Sequence, residues 1–131
     1  MASRQEGCGL SGAPRLLARV RCALRGWAEG WRCQPNLRIQ AAIVAGVTAL
    51  GLYLRLGAGQ WAILVLTCCV VLAAELLNSA LEALTDLVSP TVHPVARRAK
   101  DIAAGAVLLA AVGSVIVGLL ILGPPLLARL R

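Results

Sequence analysis

The stretch AAELLNSALEALTD, residues 73–86, sets Glu75, Asn78, Glu82 and Asp86 into an otherwise apolar run. The residues before it, from Trp61 to Ala74, carry no charge at all. Burying a carboxylate costs several kcal/mol unless something pairs with it or coordinates it. The four polar residues are spaced 3, 4 and 4 apart, so a helix places them on one face. With Trp61 near one boundary of a membrane, Glu75 lies about 21 Å deeper and Asp86 about 16 Å further on. The stripe therefore descends from inside the hydrocarbon to the opposite interface, where it meets water and headgroups.

Composition supports a membrane setting. The chain has 131 residues, 59% of them hydrophobic and 15% charged, with a mean hydropathy of +0.79. That is enough for one small domain, and a soluble domain of this size has no means of hiding so much apolar surface. The net charge of +7 raises nucleic acid as a partner, but the basic residues flank apolar stretches and aromatic content is only 3%. Anionic headgroups and phosphates at a membrane surface fit that distribution, and no nucleic-acid partner is expected. Cys8, Cys22, Cys33, Cys68 and Cys69 form no CxxC pair and no zinc pattern. GCGLSG at 7–12 follows no strand and sits in a polar tail, so it is not a dinucleotide site. No signal peptide is expected either, since the N-terminus lacks an apolar core followed by a cleavage site.

Three apolar runs are long enough to cross a bilayer with their flanks: Ile39 to Leu54, Trp61 to about Leu87, and Ile102 to Leu122. The last is expected to end at Gly123-Pro124-Pro125. Short connections, RLGAGQ and SPTVHPVARRAK, make sequential helices antiparallel neighbours. Before them, Leu16, Leu17, Val20, Leu24, Trp27 and Trp31 recur at three- and four-residue steps among arginines, which reads as a basic helix in the interface. On the third span Ala106, Ala110, Ser114 and Gly118 form a ladder of small residues suited to close helix contact. The expected organisation is all-α: a disordered polar tail at 1–13, an interfacial helix at 14–33, a three-span domain at 34–125 and a short basic tail at 126–131. Arg4, Arg15, Arg19, Arg21, Arg25, Arg32 and Arg38 precede the first span, and Arg97, Arg98 and Lys100 lie in the second loop. Arg55, Arg129 and Arg131 fall on the other side. This bias puts the N-terminus in the cytoplasm, the C-terminus outside and the polar stripe at the cytoplasmic face.

At that face the stripe meets His93, Arg97, Arg98, Lys100 and Asp101. One structural reading is a set of interhelical ion pairs, with Glu82 or Asp86 holding Lys100 or an arginine. Intramembrane ionisable groups are more often functional. Carboxylates can hold Mg²⁺, which also binds phosphate oxygens, and lysine neutralises a polyphosphate. A carboxylate shielded from water is a stronger base than one in solvent and can take a proton from an alcohol. Together these parts suit phosphoryl transfer from a nucleotide to a lipid hydroxyl. The sequence has no GxxxxGK[ST] and no protein-kinase signature set.

ELLNSALEALTD resembles the signature of the prokaryotic diacylglycerol kinase family, E-x-x-N-[ST]-A-x-E-x-x-V-D, with Thr85 where the family usually has valine. SPTVHPVARRAKDIAAGAVLLAA and NLRIQ are similar to the Gram-positive branch, whose members phosphorylate undecaprenol. The resemblance covers about residues 15 to 122. It implies a multi-pass kinase of the bacterial inner membrane, a homotrimer using ATP and Mg²⁺ to phosphorylate a lipid alcohol, with undecaprenol favoured over diacylglycerol. Position by position, it implies Glu75 as catalytic base in contact with the acceptor, and Asn78 as a supporting amide at the substrate. It implies Glu82 and Gln34 at the metal, and Arg15, Cys22, Gln34, Glu82, Thr91, Val92, His93, Lys100 and Asp101 at the nucleotide. Gln34 departs from the pattern, since the family has a second metal-binding glutamate there; the amide keeps an oxygen and loses a formal charge. Two readings of other classes are a proton or ion channel lined by the stripe, and a structural membrane protein without activity. Against the channel, the stripe occupies only the cytoplasmic half of one helix.

Overall fold

The computed structural model describes residues 14–89, 91 and 93–130. The expected polar tail at 1–13 lies outside them. Four helices account for nearly all of the described chain: α1 (Pro14–Cys33), α2 (Pro35–Leu54), α3 (Ala58–Val88) and α4 (Pro94–Leu130). The chain divides into two compact units, α1 with the preceding residues and everything from Gln34 onward. Taken by itself, α1 is an amphipathic helix that begins on Pro14 and carries Leu16, Leu17, Val20, Leu24, Trp27 and Trp31 exposed. No segment of α1 is long and apolar enough to span, whereas α2, α3 and α4 all are.

Local chemistry explains the helix ends. Pro35 occupies the first turn of α2, where a missing N–H costs nothing. The 20 residues of α2 give about 30 Å, the thickness of the hydrocarbon. Its C-terminus closes with Arg55 in the left-handed region at φ 55°. Arg55 N–H donates to Leu52 O and Leu56 N–H to Gly51 O, both at 3.2 Å. This is the paired-bond ending that satisfies two of the carbonyls left over at a helix C-terminus. α3 then starts on Gly57, whose N–H donates to Gln60 Oε1 at 3.0 Å. Within the spans, the hydroxyls of Thr48, Thr67, Ser79, Thr85 and Ser114 each donate to a carbonyl three or four residues back. A hydroxyl satisfied within its own helix carries little penalty in hydrocarbon. The same bond satisfies the hydroxyl of Thr85, where the resembled signature has valine.

One expectation is corrected. α4 does not end at Gly123-Pro124-Pro125 but continues through both prolines to Leu130. A proline disfavours helical geometry in the residue before it chiefly by clashing with that residue's Cβ and N–H, and Gly123 has no Cβ. Of the residues read from sequence as a separate basic tail, 126–130 thus belong to the last turns of α4. There Arg129 stacks over the Tyr53 ring, 4.7 Å from its centroid, tying the ends of α2 and α4 together.

α4 packs mainly along α3, and α2 leans on both. The buried core is small and lies at one end: Leu54, Leu64, Ile121 and Leu122, with Val47, Leu50, Leu56, Val117 and Leu126 against it. These residues come from the end of α2, the start of α3 and the end of α4, which is the end remote from the polar stripe. Large side chains such as Ile43, Leu66, Leu77 and Leu119 remain exposed, as expected for surfaces that face lipid rather than water. Gly51 is buried because the Trp61 ring lies on it. A Cβ there would sit 2.9 Å from Trp61 Cη2. Gly51→Ala is therefore expected to destabilise the helix bundle by about 1–3 kcal/mol. Gly46→Ala, where nothing lies within 4 Å, should not. Thermal unfolding of the two variants in detergent checks this.

Candidate active site

At the other end of the bundle, Glu75 is buried, with 2% of its surface exposed, the only charged side chain so placed among the described residues. Gln40 of α2 reaches it: Nε2 donates to Glu75 Oε2 at 3.5 Å, a long contact. The Oε1 of Gln40 is itself buried with no partner. One turn along α3, Asn78 Nδ2 donates to Glu82 Oε1 at 3.0 Å, and Asn78 Oδ1 is buried without a partner. Ser79 Oγ donates to the Glu75 carbonyl at 2.9 Å, so its hydroxyl serves the helix and not the site. Two orphaned amide oxygens beside two carboxylates are unusual in a membrane interior, where each costs free energy on its own.

The Gln40–Glu75 contact also fixes depth. α2 and α3 run antiparallel, and Gln34 lies about 9 Å from Gln40 along α2 while Glu82 lies about 10 Å from Glu75 along α3, in the same direction. The two therefore share a level. Gln34 is the N-cap of α2, half-buried, and its side chain makes no capping hydrogen bond. Its amide is not committed to its own helix.

Further toward the interface, Lys100 of α4 forms an ion pair and hydrogen bond with Asp86 of α3. This is the interhelical pair that the sequence allowed as a structural alternative. It does not remove Lys100 from the site, because both side chains line a pocket of about 230 Å³ together with Arg97, His93, Thr91 and Ser89. Ser89 Oγ donates to Thr91 O at 2.9 Å, which ties this edge of the loop. His93 caps α4: its Nδ1 accepts from Val95 N–H at 3.2 Å and its carbonyl from Arg97 N–H at 3.0 Å. A pocket holding Arg97, Lys100 and the first turn of a long helix suits an anion.

The structure thus brings together Glu75, Asn78 and Glu82 on α3, and Thr91, His93 and Lys100 at the next level. Asp101 is exposed beside Lys100. Val92 lies outside the described residues, and of Arg15 only its place in α1 is described. Cys22 is exposed on α1, in the other unit. Gln40 was missed as a site residue; the available signal was an amide interrupting the apolar run after Ile39.

Among the described residues no three His, Cys, Asp or Glu side chains converge as a metal cluster. Mg²⁺ needs none, since it is held by one or two carboxylates together with waters and substrate phosphates. Glu82 with the orphaned Asn78 Oδ1 offers hard oxygen donors of that kind. The residues present fit the ion.

Three helices long and apolar enough to span a membrane, with a buried carboxylate and a pocket lined by Arg97 and Lys100 toward the same end, make an integral membrane protein with its ionisable groups gathered at that end. Residues 21–122 match the family described as prokaryotic diacylglycerol kinase. Over 118 residues the chain is 49% identical to a diacylglycerol kinase of Synechocystis sp., covering 88% of this chain and 67% of that one. It is 41% identical over 102 residues to an undecaprenol kinase of Bacillus subtilis, with 78% and 83% covered. Against a diacylglycerol kinase of Escherichia coli K12 the identity is 27% over 106 residues, with 81% and 87% covered. The chain belongs to the prokaryotic diacylglycerol kinase family, and by that membership is a lipid kinase.

Proposed function

We propose that the chain transfers the γ-phosphoryl group of ATP to the hydroxyl of a lipid alcohol at the cytoplasmic face of the bacterial plasma membrane, undecaprenol in preference to diacylglycerol. The observation that carries this reading is Glu75, buried at hydrocarbon depth with an amide as its neighbour and a phosphate-sized basic pocket further along the same helix. Its carboxylate takes the proton of the acceptor hydroxyl as that oxygen bonds to the γ-phosphorus. The bond from the γ-phosphorus to the bridging oxygen breaks, and ADP leaves with the electron pair. Gln40 holds one carboxylate oxygen by its amide, which orients the other as the base. Lys100, Arg97, His93 and Thr91 take the phosphates and nucleotide. Glu82 and Asn78, with Gln34 at the same depth, are the residues that would hold Mg²⁺. When bound, the ion supplies charge neutralisation on the phosphate oxygens.

The Bacillus subtilis relative and the resemblance of the loop to the Gram-positive branch support undecaprenol. The Synechocystis relative, at higher identity, favours diacylglycerol as the second reading. Transfer of labelled phosphate from ATP, measured in mixed micelles with each lipid, tests both. Higher turnover on undecaprenol is expected; higher turnover on diacylglycerol reverses the assignment, and labelling of neither lipid overturns the kinase reading.

The same reading sets the N-terminus in the cytoplasm, the C-terminus outside and a homotrimeric assembly, in line with the charge bias of the loops and the family resemblance. A reporter fused after Arg131 should be active only if it requires the outside. Activity there of a reporter that requires the cytoplasm would invert the topology and remove Lys100 from ATP.

A further inference from the structure

At the end of the bundle remote from Glu75, α2 and α4 carry a basic patch that phosphoryl transfer does not use. Arg55 stands just past the end of α2, and Arg129 lies in the last turn of α4; both are exposed. Because α4 runs on through Pro124 and Pro125, Arg129 arrives over the exposed Tyr53 ring, 4.7 Å from its centroid. Arg55 follows Tyr53 by two residues, so their Cα atoms lie within about 7 Å of one another. The two guanidinium groups therefore share one neighbourhood. No carboxylate meets them. Residues 39–74 and 102–131 contain no Asp or Glu, and among the described residues neither arginine forms an ion pair or a side-chain hydrogen bond. A guanidinium stacked on a ring keeps its N–H donors in plane at its edge, where they can bind a phosphate bidentately. Leu52, Leu127 and Leu130, in the same turns, are exposed. The patch is thus cationic with apolar surface beside it.

We infer that Arg55 and Arg129 hold the phosphodiester of an anionic phospholipid in the leaflet opposite the polar stripe. α2 starts after Gln34, on the side of that stripe, and is about as long as the hydrocarbon is thick, so Tyr53 and Arg55 come out at the opposite interface. Tyr53 and the half-buried Trp61 are aromatic residues of the kind that sit at that boundary. Headgroup phosphates lie at the same level, and a phospholipid brings acyl chains to lie along the exposed leucines. A phosphate ion in solution has the charge without the chains. A zwitterionic lipid carries its own cation, which the second arginine repels, so a headgroup with net negative charge is preferred. Each arginine near a membrane surface is worth roughly fivefold in the local concentration of anionic lipid, and two together on the order of twentyfold. Snorkelling alone would bring the same charges to the interface without selecting a headgroup.

Trp61 supplies a local reporter, since the other two tryptophans, Trp27 and Trp31, lie in α1 and can be replaced by phenylalanine. The full chain so altered is placed in phosphatidylcholine vesicles containing a small fraction of acyl-brominated lipid, either phosphatidylglycerol or phosphatidylcholine. Brominated phosphatidylglycerol should quench Trp61 more strongly, by an amount that corresponds to roughly ten- to thirtyfold local enrichment at low salt. Raising the salt concentration should reduce the excess. Arg55→Gln combined with Arg129→Gln should abolish it. Arg55→Gln alone leaves Arg129 stacked on Tyr53, so it carries the test even where the double variant is less stable; it should lower the enrichment about fivefold. Equal quenching by the two lipids before any arginine is changed overturns the site. So does an excess that survives Arg55→Gln undiminished, which leaves the arginines as anchors only. Relief of the excess by millimolar inorganic phosphate at constant ionic strength would also overturn the lipid, and assign the patch to a free anion.

Discussion

Glu75→Gln is expected to lower phosphoryl transfer by about 10²–10⁴-fold, the range for loss of a general base, while the protein folds as before. Glutamine has the size of glutamate, and its Oε1 can still accept from Gln40 Nε2, so the contact between α2 and α3 survives. What it cannot do is take a proton. Glu75 is 2% exposed, and a buried carboxylate held by one long hydrogen bond is not there for stability. Replacing it by an amide removes a desolvation penalty. The melting temperature in detergent should therefore stay level or rise while turnover falls. That opposite movement separates a catalytic group from a structural one, because loss of a stabilising pair would lower both. Near-normal turnover of the purified variant would show that Glu75 is not the base.

The parts of this molecule that could be read from sequence are those fixed by one helix at a time. Glu75, Asn78, Glu82 and Asp86 share a face because of their spacing, and α3 forms around them much where its apolar run predicts. The Pro14 start of α1 and the three spans follow from the same local rules. What could not be read depends on which helix meets which. Gln40 stood in the sequence as an interruption to an apolar run, and only its register against α3 turns it into the partner of Glu75. The Lys100–Asp86 pair was one of several that charge alone allowed. The small-residue ladder on α4 was legible as a surface, but whether it closes a contact or opens a groove depends on how α2 lies across it. The end of α4 was misread for a different reason. Two prolines usually stop a helix, and a glycine before them removes part of the clash that would do so.

Glu82→Gln should cost at least about a hundredfold in turnover at fixed Mg²⁺, since loss of an outer partner alone costs ten- to a hundredfold at metal sites. In the proposed site Glu82 would bring the one formal negative charge for a hard cation at that level, and Asn78 Oδ1 and the amide of Gln34 would add oxygens without charge. The midpoint of activity against free Mg²⁺ should rise in Glu82→Gln. Gln34→Glu should move it the other way, because Gln34 lies at the same depth and a second carboxylate strengthens an oxygen site. The two changes together then decide whether both residues serve one ion. If they do, Gln34→Glu placed in Glu82→Gln returns much of the lost activity by restoring the charge from the facing helix. If the double variant is no better than Glu82→Gln, Gln34 lies away from the metal. Loss of activity in Gln34→Glu alone has a different meaning: the NH₂ of Gln34 is then a donor that a carboxylate cannot replace. The register of α2 against α3 favours rescue, since it puts both residues about 9–10 Å beyond the Gln40–Glu75 contact, at one level of the bundle.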